Sequence, residues 1–190
     1  KSNSFKNYIT HLITFTVMVR YIKIVLCGLY NIWFYSLAAT GIIICLPLFF
    51  IFSFKENWYP QFYWVARNIW AKLILLGMGL FPKVEFSEPL LRGENYMLTA
   101  NHKSMIDVML MLQISKNPIV FVGKKELVEL PVFGFFYQRV CILVDRENPE
   151  SRKAVYGHAE RRLKQGLSLC IFAEGLVTSP EIKLAPFKNG

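Results

Sequence analysis

Acidic side chains are scarce in this 190-residue chain: 13 Asp and Glu stand against 22 Lys and Arg, for a formal net charge of +9. Only two of the acids are aspartates, Asp107 and Asp145. The imbalance implies an anionic partner, and on composition alone nucleic acid or an anionic lipid surface fits. Cysteine is sparse too. Cys27, Cys45, Cys141 and Cys170 lie in apolar runs without CxxC or zinc-ligand spacing, so all four read as small buried residues compatible with a reducing compartment. Walker loop, GxSxG elbow and HExxH helix are missing, and no metal or nucleotide cofactor is expected. Neither an internal repeat nor a low-complexity segment interrupts the chain.

Charge vanishes altogether from Ile24 to Phe54, a stretch longer than the roughly 20 apolar residues that cross a bilayer core of about 30 Å. That length rules against the core helix of a soluble protein. Pro47 leaves two forms open, a kinked span and a re-entrant hairpin. From Trp58 to Phe81, Gln61, Arg67, Asn68 and Lys72 recur on one side at helical spacing, with Phe62, Val65, Ile69, Leu73 and Leu76 on the other. Trp58, Tyr59, Tyr63, Trp64 and Trp70 suit headgroup depth, so this stretch reads as an interfacial helix; an amphipathic helix packed on the following domain fits the same letters. Arg20, Lys23, Lys55, Arg67 and Lys72 face only Glu56, which places positive charge for anionic lipid on the cytoplasmic side. The chain begins at Lys1, and Met18 before a basic flank and an apolar run has the form of a natural start; residues 1–17 are then an upstream extension.

Pro82, Pro89 and Gly93 mark a boundary. It separates membrane-anchoring helices over 1–81 from a domain over 82–190. Beyond it the pattern predicts a strand at 96–100, a strand at 118–123, a helical turn at 125–130 and a helix at 131–139 with Pro131 at its start. A strand at 141–144, a charged helix at 149–165 and a strand at 168–173 follow. Such alternation predicts a mixed α/β domain with a largely parallel sheet flanked by helices.

Within it, 94–112 reads as strand, turn and helix. On one continuous helix His102 and Asp107 would point about 140° apart. With His102 in the turn and the helix opening near Ser104, Asp107 falls in the first turn and its carboxylate leans back to the imidazole as a base and its orienter. A capping box, Ser104 as N-cap closed by Asp107, explains the same letters without chemistry. What separates the readings lies farther along the chain. His102, Asp145-Arg146 and Glu174-Gly175 each follow a strand, and in a parallel α/β sheet the ligand crevice lies outside the carboxyl ends of the strands. Of the other histidines, His11 lies in the N-terminal extension and His158 on the charged helix.

Asn101-His102 with Asp107 five positions after the histidine resembles the first motif of the glycerolipid acyltransferases, the family of lysophosphatidic acid acyltransferase. Val122–Leu127 resembles its Lys-Lys-x-Leu segment, Ile142–Arg146 the end of its second motif, Phe172–Gly175 its Phe-Pro-Glu-Gly motif and Pro186–Gly190 its Pro-Phe-Lys-x-Gly segment. The resemblance implies His102 as general base and Asp107 as its partner, with Arg146, Glu174, Gly175, Lys124 and Lys125 toward the substrate. Arg146 suits a phosphate monoester; Lys124 and Lys125 fit either phosphate contacts or solvated charges. Gly175 and nearby amides would shelter an oxyanion. It further implies acyl-CoA or acyl carrier protein as donor and no other cofactor. A lysophospholipid would be the acceptor, lysophosphatidic acid giving phosphatidic acid, with no nucleic-acid partner. The setting would be the bacterial inner membrane, with the domain on its cytoplasmic side. The chain departs from the family at Val140 (usually Gly), Ala173 (usually Pro) and Leu176-Val177 (usually Thr-Arg), and the domain is expected to continue beyond Gly190.

Overall fold

The computed structural model describes residues 2–177, 182 and 184–187, with side chains from Ile13 onward. Two compact units divide it, residues 1–40 and 41–190. The first is helix throughout its described length, part of α1, Ser2–Ser53. Helix α1 passes through Pro47 without reversing, so the re-entrant hairpin is not formed. Its portion Ile13–Ser53 is long and apolar enough to cross a membrane. Cys27, expected to be buried, is exposed on this helix, because an apolar helix with no neighbour on most sides presents its side chains outward.

The second unit begins inside α1 and contains α2 (Tyr59–Val65), a π-helical turn at Ala66–Trp70 and α3 (Ala71–Gly77). The sequence grouped this stretch with the anchor; its packing follows the alternative reading. Tyr59 Oη donates to the Ile119 carbonyl at 2.7 Å and Tyr63 Oη to the Ser115 carbonyl at 2.8 Å, both inside the core. The two phenols thus bury their rings while keeping their hydroxyls bonded. The wide turn adds a residue and shifts the helical phase, so Ile74 and Leu75 are buried whereas Leu76, expected inward, is exposed. Tyr59→Phe leaves the Ile119 carbonyl short of a donor and is expected to cost about 1–2 kcal/mol, read as a lower denaturant midpoint at unchanged slope.

Among the described residues four short strands form one sheet: β1 (Met97–Ala100), β2 (Ile119–Lys124), β3 (Ile142–Val144) and β4 (Ser168–Phe172). Their order is β1-β4-β2-β3 and every pairing is parallel. In the central strands Ile119, Val120, Leu169 and Cys170 are fully buried, as expected of strands covered on both faces. Helices α4 (Ile106–Ile114), α5 (Phe133–Val140) and α6 (Pro149–Lys164) connect them. Asn148 caps α6, its side chain accepting from the Glu150 and Ser151 amides.

Pro131 does not open α5. Pro131 and Val132 form a turn that precedes it, and Val132 sits at φ 63, a costly region for a β-branched side chain. A close approach accompanies that turn: a Cβ on Gly134 would stand 1.9 Å from the Val128 carbonyl oxygen.

Candidate active site

The register sets the carboxyl ends of all four strands along one edge, with Ala100 level with Phe172 and Lys124 level with Val144. His102 leaves β1 and Glu174 leaves its neighbour β4, so residues 72 apart in sequence meet there. Lys124 and Arg146 follow at the ends of β2 and β3.

Helix α4 starts at Ile106 rather than Ser104, and the intervening turn is tied to the carboxylate of Asp107. Asp107 Oδ2 accepts from the Lys103 amide at 2.6 Å and the Ser104 amide at 2.8 Å, and lies 3.2 Å from His102 Nδ1. The two sequence readings therefore coexist: one oxygen closes the helix entry and orients the imidazole. Burial pushes the Asp107 carboxyl up, but the His102 ring and the Ser104 and Lys103 amides outweigh it and hold the group below its ordinary value. Asp107 is thus ionised at neutral pH. With Nδ1–H donated to it, Nε2 carries the lone pair and is the proton-accepting atom.

Phe172 and Glu174 fix the imidazole from the other side. The Phe172 ring stacks on His102 with centroids 4.1 Å apart and planes 16° from parallel. Glu174, 1% exposed, accepts from the His102 amide at 3.3 Å and the Ala185 amide at 3.2 Å, and its Oε2 lies 3.6 Å from Lys103 Nζ. Lys103 also donates to the Ile182 carbonyl. Glu174 therefore orders the turn and the segment after β4. Neither the stacking partner nor the Lys103–Glu174 pair was assigned from sequence; the adjacency of Lys103 to His102 was the available signal.

Gly175 turns the chain at φ 73, but its amide donates to the Phe172 carbonyl at 2.9 Å, so it is engaged rather than aimed at a developing oxyanion. Asp145 is a turn residue: its amide donates to Ser151 Oγ and its carboxylate accepts from the Glu147 amide. Arg146 is half-buried and has no ion-pair partner among the described residues, which leaves its guanidinium available. Lys124 and Lys125 are exposed, the former 3.7 Å from Glu126. Among the described residues none of these three bonds to His102, Asp107 or Glu174; they share the edge, not the cluster. No group of three or more His, Cys, Asp or Glu side chains gathers as a metal site among the described residues. Burial pushes the Cys141 and Cys170 thiols up to about 12, so neither is a nucleophile.

This arrangement can be set against known proteins. The 1-acyl-sn-glycerol-3-phosphate acyltransferase of Cocos nucifera is 35% identical over 96 residues, covering 47% of this chain and 30% of that protein. The enzyme of that name from Helicobacter pylori is 30% identical over 95 residues (50% and 40%), and that from Salmonella typhimurium 34% over 113 residues (57% and 45%). The chain thus spans less than half the length of these relatives. Among solved structures, the 1-acyl-sn-glycerophosphate (LPA) acyltransferase PlsC of Thermotoga maritima shares the fold, with a TM-score of 0.65, 24% identity, and coverage of 84% of this chain and 65% of that one. The sequence pattern of the family described as Acyltransferase matches residues 82–190, more than half of the chain. With its histidine, carboxylate and buried glutamate set along one sheet edge inside that span, the chain belongs to the acyltransferase family.

Proposed function

We propose that this chain moves a fatty acyl group from a thioester, acyl-CoA or acyl carrier protein, to the free hydroxyl of a lysophospholipid, lysophosphatidic acid first among them. The observation that carries the reading is the His102–Asp107 pair, whose Nδ1 side is occupied and whose Nε2 is left to take a proton. His102 removes the acceptor's hydroxyl proton as the oxygen attacks the thioester carbonyl. Asp107 stabilises the resulting imidazolium. The tetrahedral adduct collapses, the C–S bond breaks, and the imidazolium returns the proton to the departing thiolate; an ester and a thiol result. No covalent intermediate with the protein is needed.

A membrane setting fits the substrates. The uncharged stretch Ile24–Phe54 and the basic residues at its two ends, Arg20, Lys23 and Lys55, suit attachment to a bilayer, with the domain on the cytoplasmic side of a bacterial inner membrane. A site held near the lipid surface spares both acceptor and product from extraction into water.

Arg146 is assigned to the acceptor's phosphate, since it is an unpaired guanidinium on the same edge, and the sequence has Val177 where the family's Arg is usual. Arg146→Ala is expected to raise the KM for lysophosphatidic acid about 10-fold or more, the equivalent of one charge-assisted hydrogen bond, with a smaller change in kcat. An unchanged apparent affinity removes Arg146 from the site. The activity itself is tested by thiol release, crossing both donors with several lysolipids and with no acceptor. Release that depends on a lysolipid supports acyl transfer; release at the same rate without one makes the chain a thioesterase.

A further inference from the structure

A recess beside the outer strand β3 is not used by the chemistry at His102. It lies where that strand begins at Ile142 and α6 ends. About 440 Å³ in volume, it is bounded by Phe52–Glu56 at the end of α1, Gln138–Leu143, and His158, Arg161 and Arg162 of α6. Four cations, Lys55, Arg139, Arg161 and Arg162, face one carboxylate, Glu56, a balance of +3 before His158 is counted.

Glu56 is engaged by Arg161 at 2.9 Å and by Gln165 at 2.9 Å, and Arg162 is buried against the Arg139 carbonyl and Gln165. Lys55 and Arg139 are different. Each lies over an aromatic ring, Lys55 Nζ 4.8 Å from the Trp58 ring centroid and the Arg139 guanidinium 3.7 Å from that of Phe135, and neither has an ion-pair partner among the described residues. Arg139 Nη1 donates to the Phe135 carbonyl at 2.6 Å, and among the described residues its other N–H groups and the Lys55 ammonium are the unengaged donors of the recess.

Beside it runs a second hollow of about 380 Å³, lined entirely by Leu46, Pro47, Phe50, Val132, Phe135 and Phe136. Phe135 joins the two: its ring stacks on Phe50, centroids 5.8 Å apart, beneath the Arg139 guanidinium. Residues 46–50 of α1 thus flank the apolar hollow and 52–56 the basic one, and Lys55 is the first charge after the uncharged stretch Ile24–Phe54. An inorganic anion would use only the basic half. From this polarity we infer that the α1–α5 seam is a binding site for one anionic phospholipid, its acyl chain along Leu46, Phe50 and Phe135 and its phosphate against Lys55 and Arg139, separate from the acceptor site. The inference does not depend on the proposed reaction.

The test is native mass spectrometry of the full chain in detergent, titrated in parallel with phosphatidylglycerol and phosphatidylcholine. One phosphatidylglycerol should be retained at least about 10-fold more tightly, the worth of one charge-assisted contact. The double variant Lys55→Gln/Arg139→Gln, changed at exposed positions, should lose that preference, whereas Arg146→Ala should keep it. Equal retention of the two lipids by the unaltered protein overturns the site, a result that stands even if the double variant fails to fold. So does a preference that survives in a folded double variant, or one abolished by Arg146→Ala, which would put the lipid in the acceptor site. Displacement by glycerol 3-phosphate as effectively as by lipid would reduce the recess to an anion site and overturn the phospholipid assignment.

Discussion

His102→Ala is expected to lower the rate of acyl transfer by at least about 10²-fold, the lower end of what a positioned general base contributes, while the protein stays folded. Folding is expected to survive because the turn does not hang on the ring. The Lys103 and Ser104 amides remain bonded to Asp107, and the His102 amide remains bonded to Glu174. What is lost is the atom to which the proposed reaction assigns the hydroxyl proton. Single-turnover rates with a purified thioester and lysolipid, beside a circular dichroism spectrum, read the two effects separately. A variant that keeps acyl transfer within a few-fold of the parent would remove His102 from the chemistry. Asp107→Ala should do more damage to the fold, because the same oxygen holds two backbone amides. Its contribution also has a pH signature: since the folded-state value is depressed, the stabilisation is fully present above the ordinary carboxylate range and is lost as pH falls through the depressed value.

Gly134→Ala should produce the largest loss of stability, about 3 kcal/mol or more. The obstacle is backbone: an added Cβ would stand 1.9 Å from the Val128 carbonyl oxygen and 2.6 Å from its carbon, so α5 and the 3-10 turn Lys125–Glu129 that carries Val128 must separate. Gly123 offers the contrast. A Cβ there would stand 1.8 Å from the Tyr137 hydroxyl, the far end of a side chain that can swing aside, and Gly123→Ala should cost about 1–2 kcal/mol at most. Chemical denaturation of the two variants checks the ranking. A Gly134→Ala variant that unfolds at the same midpoint as the parent would show that the approach of α5 to Val128 does not limit stability.

Most elements of the sheet domain were legible because they are apolar runs of strand or helix length, or in α6 a charged run opened by Asn148-Pro149; predicted and observed limits differ by at most one residue except at the starts of α4 and α5, where they differ by two. Those two differ for local reasons. Asp107 draws the turn tight enough that the helix waits for Ile106, and the strained Val132 occupies the place assigned to the start of α5. Residues Tyr59–Gly77 were harder. Tyr59 and Tyr63 carry the same amphipathic ring whether they face headgroups or a core, and only the carbonyls of Ile119 and Ser115, some 50–60 residues away, decide between them. The extra residue in the turn at Ala66–Trp70 then put a 3.6-residue pattern out of phase. At the site, His102 and Asp107 were within reach of a local reading because five residues separate them. Phe172 stacking and the Lys103–Glu174 pair were not, since the register of β1 on β4 creates them and a linear pattern does not carry it.

The order β1-β4-β2-β3 has a consequence for how the chain is born. Strand β1 has a single neighbour, β4, which is made last of the four. At about 5–20 residues per second, several seconds pass between synthesis of His102 and of Glu174, during which the β1 ladder is unpaired and sticky. The cluster of His102, Asp107 and Glu174 is therefore incomplete until β4 slots into the gap, and that interval is when a ribosome-bound chaperone or the bilayer has most to shield.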